Sequence, residues 1–205
     1  VVRVMVSLKE VFVAGGMPTV TYVSRDSLSL EKRLKAELIE GYKIVCVTGP
    51  TKSGKTVLCR SVLGNGQSIW LSGGQISKPN DIWEQMIGEL GLPSTESVSG
   101  ATAAESGLKA LISIKAKIEE GQTSTFSHSL KKAALRYARE NDISIVIDDF
   151  HYIDAEIQKE IIRSSKSEVF DGLRLLLVAV PHQAFAAINV AREMEGRFAQ
   201  IEIPS

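Results

Sequence analysis

The stretch GPTKSGKT, residues 49–56, places Gly49, Gly54, Lys55 and Thr56 at the fixed positions of G-x-x-x-x-G-K-[ST]. A polyphosphate needs many hydrogen-bond donors in a small space. The backbone N–H groups of residues 51–56 can supply them if the loop wraps the anion and opens a helix N-terminus. Glycine at 49 and 54 lets the chain turn and approach closely. The Lys55 ammonium is then expected at the β- and γ-phosphates, and the Thr56 hydroxyl on Mg²⁺. The expected cradle is Gly49, Pro50, Thr51, Lys52, Ser53, Gly54, Lys55 and Thr56, with Val57 behind it. Lys52 holds a variable loop position, and its side chain is expected in solvent. A chance Gly/Lys turn would not also need a strand before it, a helix after it and a second motif downstream.

That second motif is ISIVIDD, residues 143–149. A run of apolar β-formers ending in two acids reads as a buried strand that delivers carboxylates to its C-terminal end. Asp148 is expected to hold Mg²⁺ and Asp149 to orient, or take a proton from, the water that attacks a γ-phosphate. Two solvated acids before a turn are the plainer alternative.

These groups need a scaffold, and the flanking sequence provides one. KIVCVTG (43–49) reads as a buried strand, and GKTVLCRSVLG as the helix after the loop, ending near Gly64. Before them, SLEKRLKAELIEGY carries Leu30, Leu34, Leu38 and Ile39 as a helical stripe, with Gly41 as its stop. SIWLSG (68–73), LRLLLVAV (173–180) and AQIEIP complete the strands. NDIWEQMIGELG, SLKKAALRYAREN (129–141), AEIQKEIIRSS and AFAAINVAREMEG read as helices, the first opened by Asn80 or Asp81 and striped with Ile82, Met86, Ile87 and Leu90. Strands alternating with helices predict an α/β fold with a parallel sheet covered on both faces. The stretch 93–127 breaks this rhythm. It reads as a β-hairpin insertion, from the alternation of Ala110, Ile112, Ile114, Ala116 and Ile118; a single helix through Leu108, Leu111, Ile112 and Ile118 is the alternative.

Composition narrows the class. The 205 residues suffice for one domain with a real core, and 44% hydrophobic with 23% charged is ordinary for a globular chain. Lys+Arg and Asp+Glu both number 24, so net charge gives no pull toward nucleic acid or membranes. The two cysteines, Cys46 and Cys59, flank the phosphate loop and are expected as reduced, buried residues in a cytoplasmic protein. No apolar run approaches the ~20 residues of a membrane span, and no signal peptide is evident. The chain opens on Val and closes on a strand, which is expected of a fragment of a longer protein. Residues 1–20 are expected as a flank and 21–205 as the core domain.

With both motifs in place, the chain resembles the AAA+/STAND branch of P-loop ATPases, in particular origin-recognition-like and bacterial STAND members. The resemblance spans about residues 18–205 and rests on TYVSRDSLSLEKRLKAELIEG, GPTKSGKT as the Walker A, IVIDDFHYID as the Walker B, and EGRFAQIEIP. It implies a three-layer P-loop fold with LRLLLVAV inserted between the two motif strands, giving a sheet of order 5-1-4-3-2. It implies base contacts from Tyr22, Val23 and Arg25, and an arginine finger, offered to a neighbouring subunit, at Arg197 with Arg192 as the weaker choice. A polar residue beyond the inserted strand, His182 or Gln183, would meet the γ-phosphate. An ordinary loop residue at 182 and an ordinary surface cation at 197 are the plainer readings. The chain departs from the family pattern in having VPHQ where STAND proteins often carry an arginine, and in lacking the helical lid.

The function this implies is Mg²⁺-dependent ATP binding and hydrolysis, acting as a switch or assembly module that self-associates through the ATP site and answers to effector or sensor domains. A small-molecule kinase would need acceptor-binding residues, and the arginines here are scattered. A GTPase would need N-K-x-D, which does not follow. An ATP-binding scaffold without turnover sits poorly with intact Lys55, Asp148 and Asp149. DNA binding stays open: KKAALRYAR and RSSK are basic, and solvated helix faces account for them.

Overall fold

A computed structural model describes residues 16, 28–64, 68–79, 81–89, 127–181 and 197–204. Five strands form one parallel sheet: β1 (Ile44–Thr48), β2 (Ser68–Ser72), β3 (Ser144–Asp148), β4 (Arg174–Ala179) and β5 (Phe198–Glu202). Their order is β2-β3-β4-β1-β5, the arrangement that the family resemblance implies. β4 pairs with β1 on one side and β3 on the other, so the two motif strands are separated by one strand.

The helices are α1 (Leu30–Glu40), α2 (Lys55–Leu63), α3 (Asp81–Glu89), α4 (Ser127–Glu140) and α5 (Ala155–Phe170). Strand alternation sorts them into two layers. Val45, Val47, Val146, Leu176, Val178 and Ile201 point to one face, where Leu30, Leu34 and Leu38 of α1 and Leu58 and Cys59 of α2 cover them. Ile44, Cys46, Ile145, Ile147, Leu175 and Leu177 point to the other, under Ile82, Trp83 and Met86 of α3, Leu135 of α4, and Ile161 and Ile162 of α5. Both motif strands are therefore buried on both sides, which fixes the height at which their C-terminal ends emerge.

One expectation needs correction. Ile39 is 71% exposed. Leu30, Leu34 and Leu38 repeat every four residues and use up the inward face; Ile39, one residue on, is turned ~100° away. In α3, Trp83 is buried beside Ile82 and Met86. Asp81 opens that helix by accepting from the backbone N–H groups of Ser77 and Lys78, tying down the turn before it. The hairpin expected over 93–127 lies outside the described residues, apart from Ser127 at the start of α4. Among the described residues no helix is long and apolar enough to cross a membrane.

Candidate functional site

β1 ends at Thr48, and the chain then turns back over the strand ends. Gly49 packs so closely there that a Cβ would lie 2.9 Å from the Ile203 Cβ and 3.0 Å from the Ile203 carbonyl oxygen. Gly54, at φ 80°, is the left-handed residue that starts α2, and Lys52 is also left-handed at φ 63°. With the Leu58 N–H bonded to the Gly54 carbonyl, the loop opens directly into the helix N-terminus. Thr51 and Lys52 are exposed, as expected for the lysine; Pro50 is exposed, and Ser53 and Val57 are half-buried.

Lys55 is only 9% exposed. Its Nζ donates to the Gly49 carbonyl at 3.0 Å and to the Pro50 carbonyl at 2.7 Å, so the ammonium lies under its own loop. Burial pushes its pKa below the usual lysine value, while the Asp148 and Asp149 carboxylates oppose that shift. Thr56 Oγ1 donates to Asp148 Oδ2 at 2.9 Å, joining two motifs 92 residues apart. Asp148 Oδ1 accepts from the Asp149 backbone N–H, also at 2.9 Å, so both carboxylate oxygens are engaged.

Asp149 is exposed and left-handed at φ 53°, which turns the chain sharply after β3 into a single 3₁₀ turn, Phe150–Tyr152. That turn is anchored by fully buried Phe150. Gln158 of α5, 2% exposed, reaches under it and donates to the Phe150 carbonyl at 3.2 Å and the Ile153 carbonyl at 2.8 Å.

A cavity of about 710 Å³ unites these groups. Thr51, Lys52, Gly54, Lys55, Thr56 and Val57 line one side, and Asp148, Asp149 and Val180 the other. Gly49, Pro50 and Ser53 shape the loop from behind. The cavity also takes in Arg60, His151 and Tyr152, which the sequence reading passed over. Arg60 follows Thr56 by one helical turn, a spacing that could have found it, and its guanidinium carbon lies 4.2 Å from the Trp70 ring centroid. His151 and Tyr152 stack with ring centroids 4.3 Å apart.

Arg197 stands elsewhere. Its carbonyl accepts from the Ile44 N–H, at the end of β1 opposite the phosphate loop, and its guanidinium carbon lies 4.6 Å from the Phe170 ring centroid. Tyr22, Val23, Arg25, His182, Gln183 and Arg192 lie outside the described residues.

The donor set suits a hard, oxygen-seeking cation. Mg²⁺ retains several waters and commonly takes one or two protein oxygens plus phosphate oxygens, and Thr56 with Asp148 supplies such a pair. Among the described residues no cluster of three or more His, Cys, Asp or Glu could hold a metal on its own.

A parallel sheet with one strand between the motif strands, a Gly-Lys-Thr loop opening a helix, and an acid bonded to the loop threonine together define a P-loop NTPase site. The AAA domain family model matches residues 39–186. The chain belongs to that family of P-loop ATPases. No curated protein matches the sequence. Its fold is similar to Cdc6p from Pyrobaculum aerophilum (TM-score 0.51, 15% identity, 89% of this chain and 47% of that one). It is also similar to a Walker-type ATPase of Pyrococcus abyssi (TM-score 0.51, 13% identity, 89% and 54%). A third similar structure is Drosophila ORC bound to AT-rich DNA and Cdc6 (TM-score 0.52, 10% identity, 87% and 28%). The chain thus spans 28% to 54% of the length of these structures' chains.

Proposed function

We propose that this domain binds ATP with Mg²⁺, hydrolyses it to ADP and phosphate, and uses the cycle as a switch or assembly signal. The observation that carries the reading is the Thr56–Asp148 hydrogen bond, which brings the phosphate loop and the acid strand to one point across the intervening β4. The loop N–H groups and Lys55 bind and orient the phosphates, and the cavity wall from Asp148 to Val180 limits the water beside them. Thr56 and Asp148 would hold Mg²⁺, which when bound neutralises developing charge on the phosphate oxygens. Asp149, exposed in the cavity and left-handed in backbone, orients the attacking water and receives its proton. The base would lie against the 21–28 segment, with Tyr22 and Val23 as its contacts. His182, just past β4, would meet the γ-phosphate.

Arg197 extends the reading to assembly. It sits about four strand residues, ~13 Å, from its own phosphate loop, so the phosphates it can serve are those of a second copy. Phe170 supports its guanidinium on the surface. Self-association through the ATP site and response to domains outside this chain belong to the same proposal.

The test is product analysis. Wild-type protein with Mg·ATP should release ADP and phosphate whether or not alcohol or nucleoside acceptors are added. Asp149→Asn should retain ATP affinity and lose turnover by about 10²-fold, the scale of a positioned acid–base group. Asp148→Asn should weaken the Mg²⁺-dependent part of binding. Phosphate appearing on an acceptor would transfer the site to a kinase, which no feature of the geometry favours.

A further inference from the structure

The parallel register pairs Ser72 with Asp148, so the next residues, Gly73 and Asp149, meet where both chains leave the sheet. Gly73 is buried and begins a 3₁₀ turn, Gly73–Gln75, closed by the Ile76 N–H on the Gly73 carbonyl at 3.1 Å. A Cβ at Gly73 would lie 2.3 Å from the Asp149 carbonyl oxygen, 2.8 Å from the Asp149 carbonyl carbon and 3.0 Å from the Asp148 carbonyl oxygen. All three are backbone atoms, so no side chain can rotate away to make room. The Gly73 backbone is not left-handed and would accept alanine; contact alone requires glycine there.

We propose that Gly73 is a positioning residue for Asp149. The hydrogen atom in place of a side chain lets the β2 exit turn lie close against the backbone carbonyls of Asp148 and Asp149. That contact sets where the left-handed Asp149 directs its carboxylate. Gln158 bonds the next carbonyls, at Phe150 and Ile153. The turn carrying the acid is thus held by both α5 and the β2 exit. Any side chain at 73 forces the Asp149 peptide or the β2 turn to move. Displacements of this size matter where the acid must meet a water, since a ~1 Å misplacement can cost about 10²-fold in rate. Phosphate binding, which uses the loop at 49–56, is left alone. The proposal rests on the reading of Asp149 as the acid that orients the attacking water.

The experiment compares Gly73→Ala with Gly74→Ala. Gly74 is the built-in control: a Cβ there meets only the Ser72 Oγ, at 3.9 Å. Two readouts are taken. Amide hydrogen exchange at Tyr152 reports the Asp149 carbonyl, which accepts the Tyr152 N–H at 2.9 Å. Steady-state turnover with Mg·ATP, beside direct nucleotide titration, separates kcat from affinity. Gly73→Ala should speed Tyr152 exchange and lower kcat, each by about tenfold or more, with nucleotide Kd within about twofold of wild type. Gly74→Ala should match wild type in both. Wild-type exchange and kcat in Gly73→Ala would overturn the proposal, and so would a loss that follows Kd instead of kcat. If Asp149→Asn leaves turnover unchanged, the role of Asp149 falls, while the exchange result still decides whether Gly73 places that peptide. Should Gly73→Ala not fold, Ile76→Val trims the buried anchor of the same turn at a cost of only about 1 kcal/mol. A kcat drop of about threefold at constant Kd supports the proposal, and an unchanged kcat overturns it.

Discussion

Lys55→Ala isolates the charge under the phosphate loop. The ammonium is held by the Gly49 and Pro50 carbonyls at 3.0 and 2.7 Å. To serve a phosphate it must loosen those contacts. At an effective dielectric of ~20, a unit charge ~4 Å from a phosphate oxygen gains about 4 kcal/mol. Surrendering the two carbonyl bonds costs about 1.5 kcal/mol. The net of about 2 to 3 kcal/mol predicts a Kd for Mg·ATP raised roughly 30- to 150-fold. The loss should shrink along ATP, ADP and AMP, because AMP lacks the phosphates that Lys55 addresses. Calorimetric titration with all three nucleotides measures this ladder. Apo stability gives a second check with a definite sign. Burial lowers the folded-state pKa of Lys55, so the unfolded chain binds its proton more tightly. Stability contributed by this group therefore rises as pH climbs from the lowered value toward the ordinary lysine value, and Lys55→Ala should lack that rise. A variant that binds Mg·ATP within twofold of wild type would refute the reasoning.

Thr56→Val keeps the branched shape and removes the hydroxyl bonded to Asp148; it should reduce the affinity gained on adding Mg²⁺ by about tenfold while leaving binding in EDTA unchanged, as read by paired titrations. Gln158→Leu removes both donors under the Asp149 turn and should cost about 2 to 3 kcal/mol in urea unfolding; a cost below about 1 kcal/mol would show that the clamp carries little. Burial pushes the Cys46 thiol up to about 12 and the Cys59 thiol higher still, so neither should react with a disulfide reagent at pH 8 until denaturant is added; rapid labelling of the native protein would contradict that burial.

The sheet was legible because its strands are short apolar runs buried on both faces, and because a Gly-Lys-Thr loop can follow only one kind of strand end. The position of β4 between β1 and β3 came from resemblance, since Leu175–Ala179 looks as apolar as its neighbours and periodicity carries no strand order. The stripe of α1 was overread at Ile39 because a helix face spans little more than the four-residue repeat of Leu30, Leu34 and Leu38. Trp83 was passed over because aromatic residues at a helix edge have no periodic signature of their own. Gly73 and Gln158 were illegible for a deeper reason. Gly73 ends a strand and Gln158 lies mid-helix, both unremarkable positions, and only the fold brings them against the backbone around Asp149.

Three side chains of the site bond one another or the phosphate loop. Lys55 bonds its own loop, Thr56 bonds Asp148, and Asp148 also caps the Asp149 N–H. Lys55, Thr56 and Asp148 would therefore meet ATP or its cation by exchanging partners, whereas the exposed Asp149 carboxylate would not. That exchange has a structural consequence, because the Thr56–Asp148 bond joins α2 to the end of β3. A cation held by Thr56 and Asp148 would take the place of that direct contact and would bear on the loop and the Asp149 turn together. Gly49 lies against Ile203, whose N–H bonds the Thr48 carbonyl at 2.7 Å, so the same adjustment is felt where the chain leaves β5. The phosphate loop, the acid turn and the exit of the last strand are thus linked by direct contacts, the route along which the proposed nucleotide switch would act.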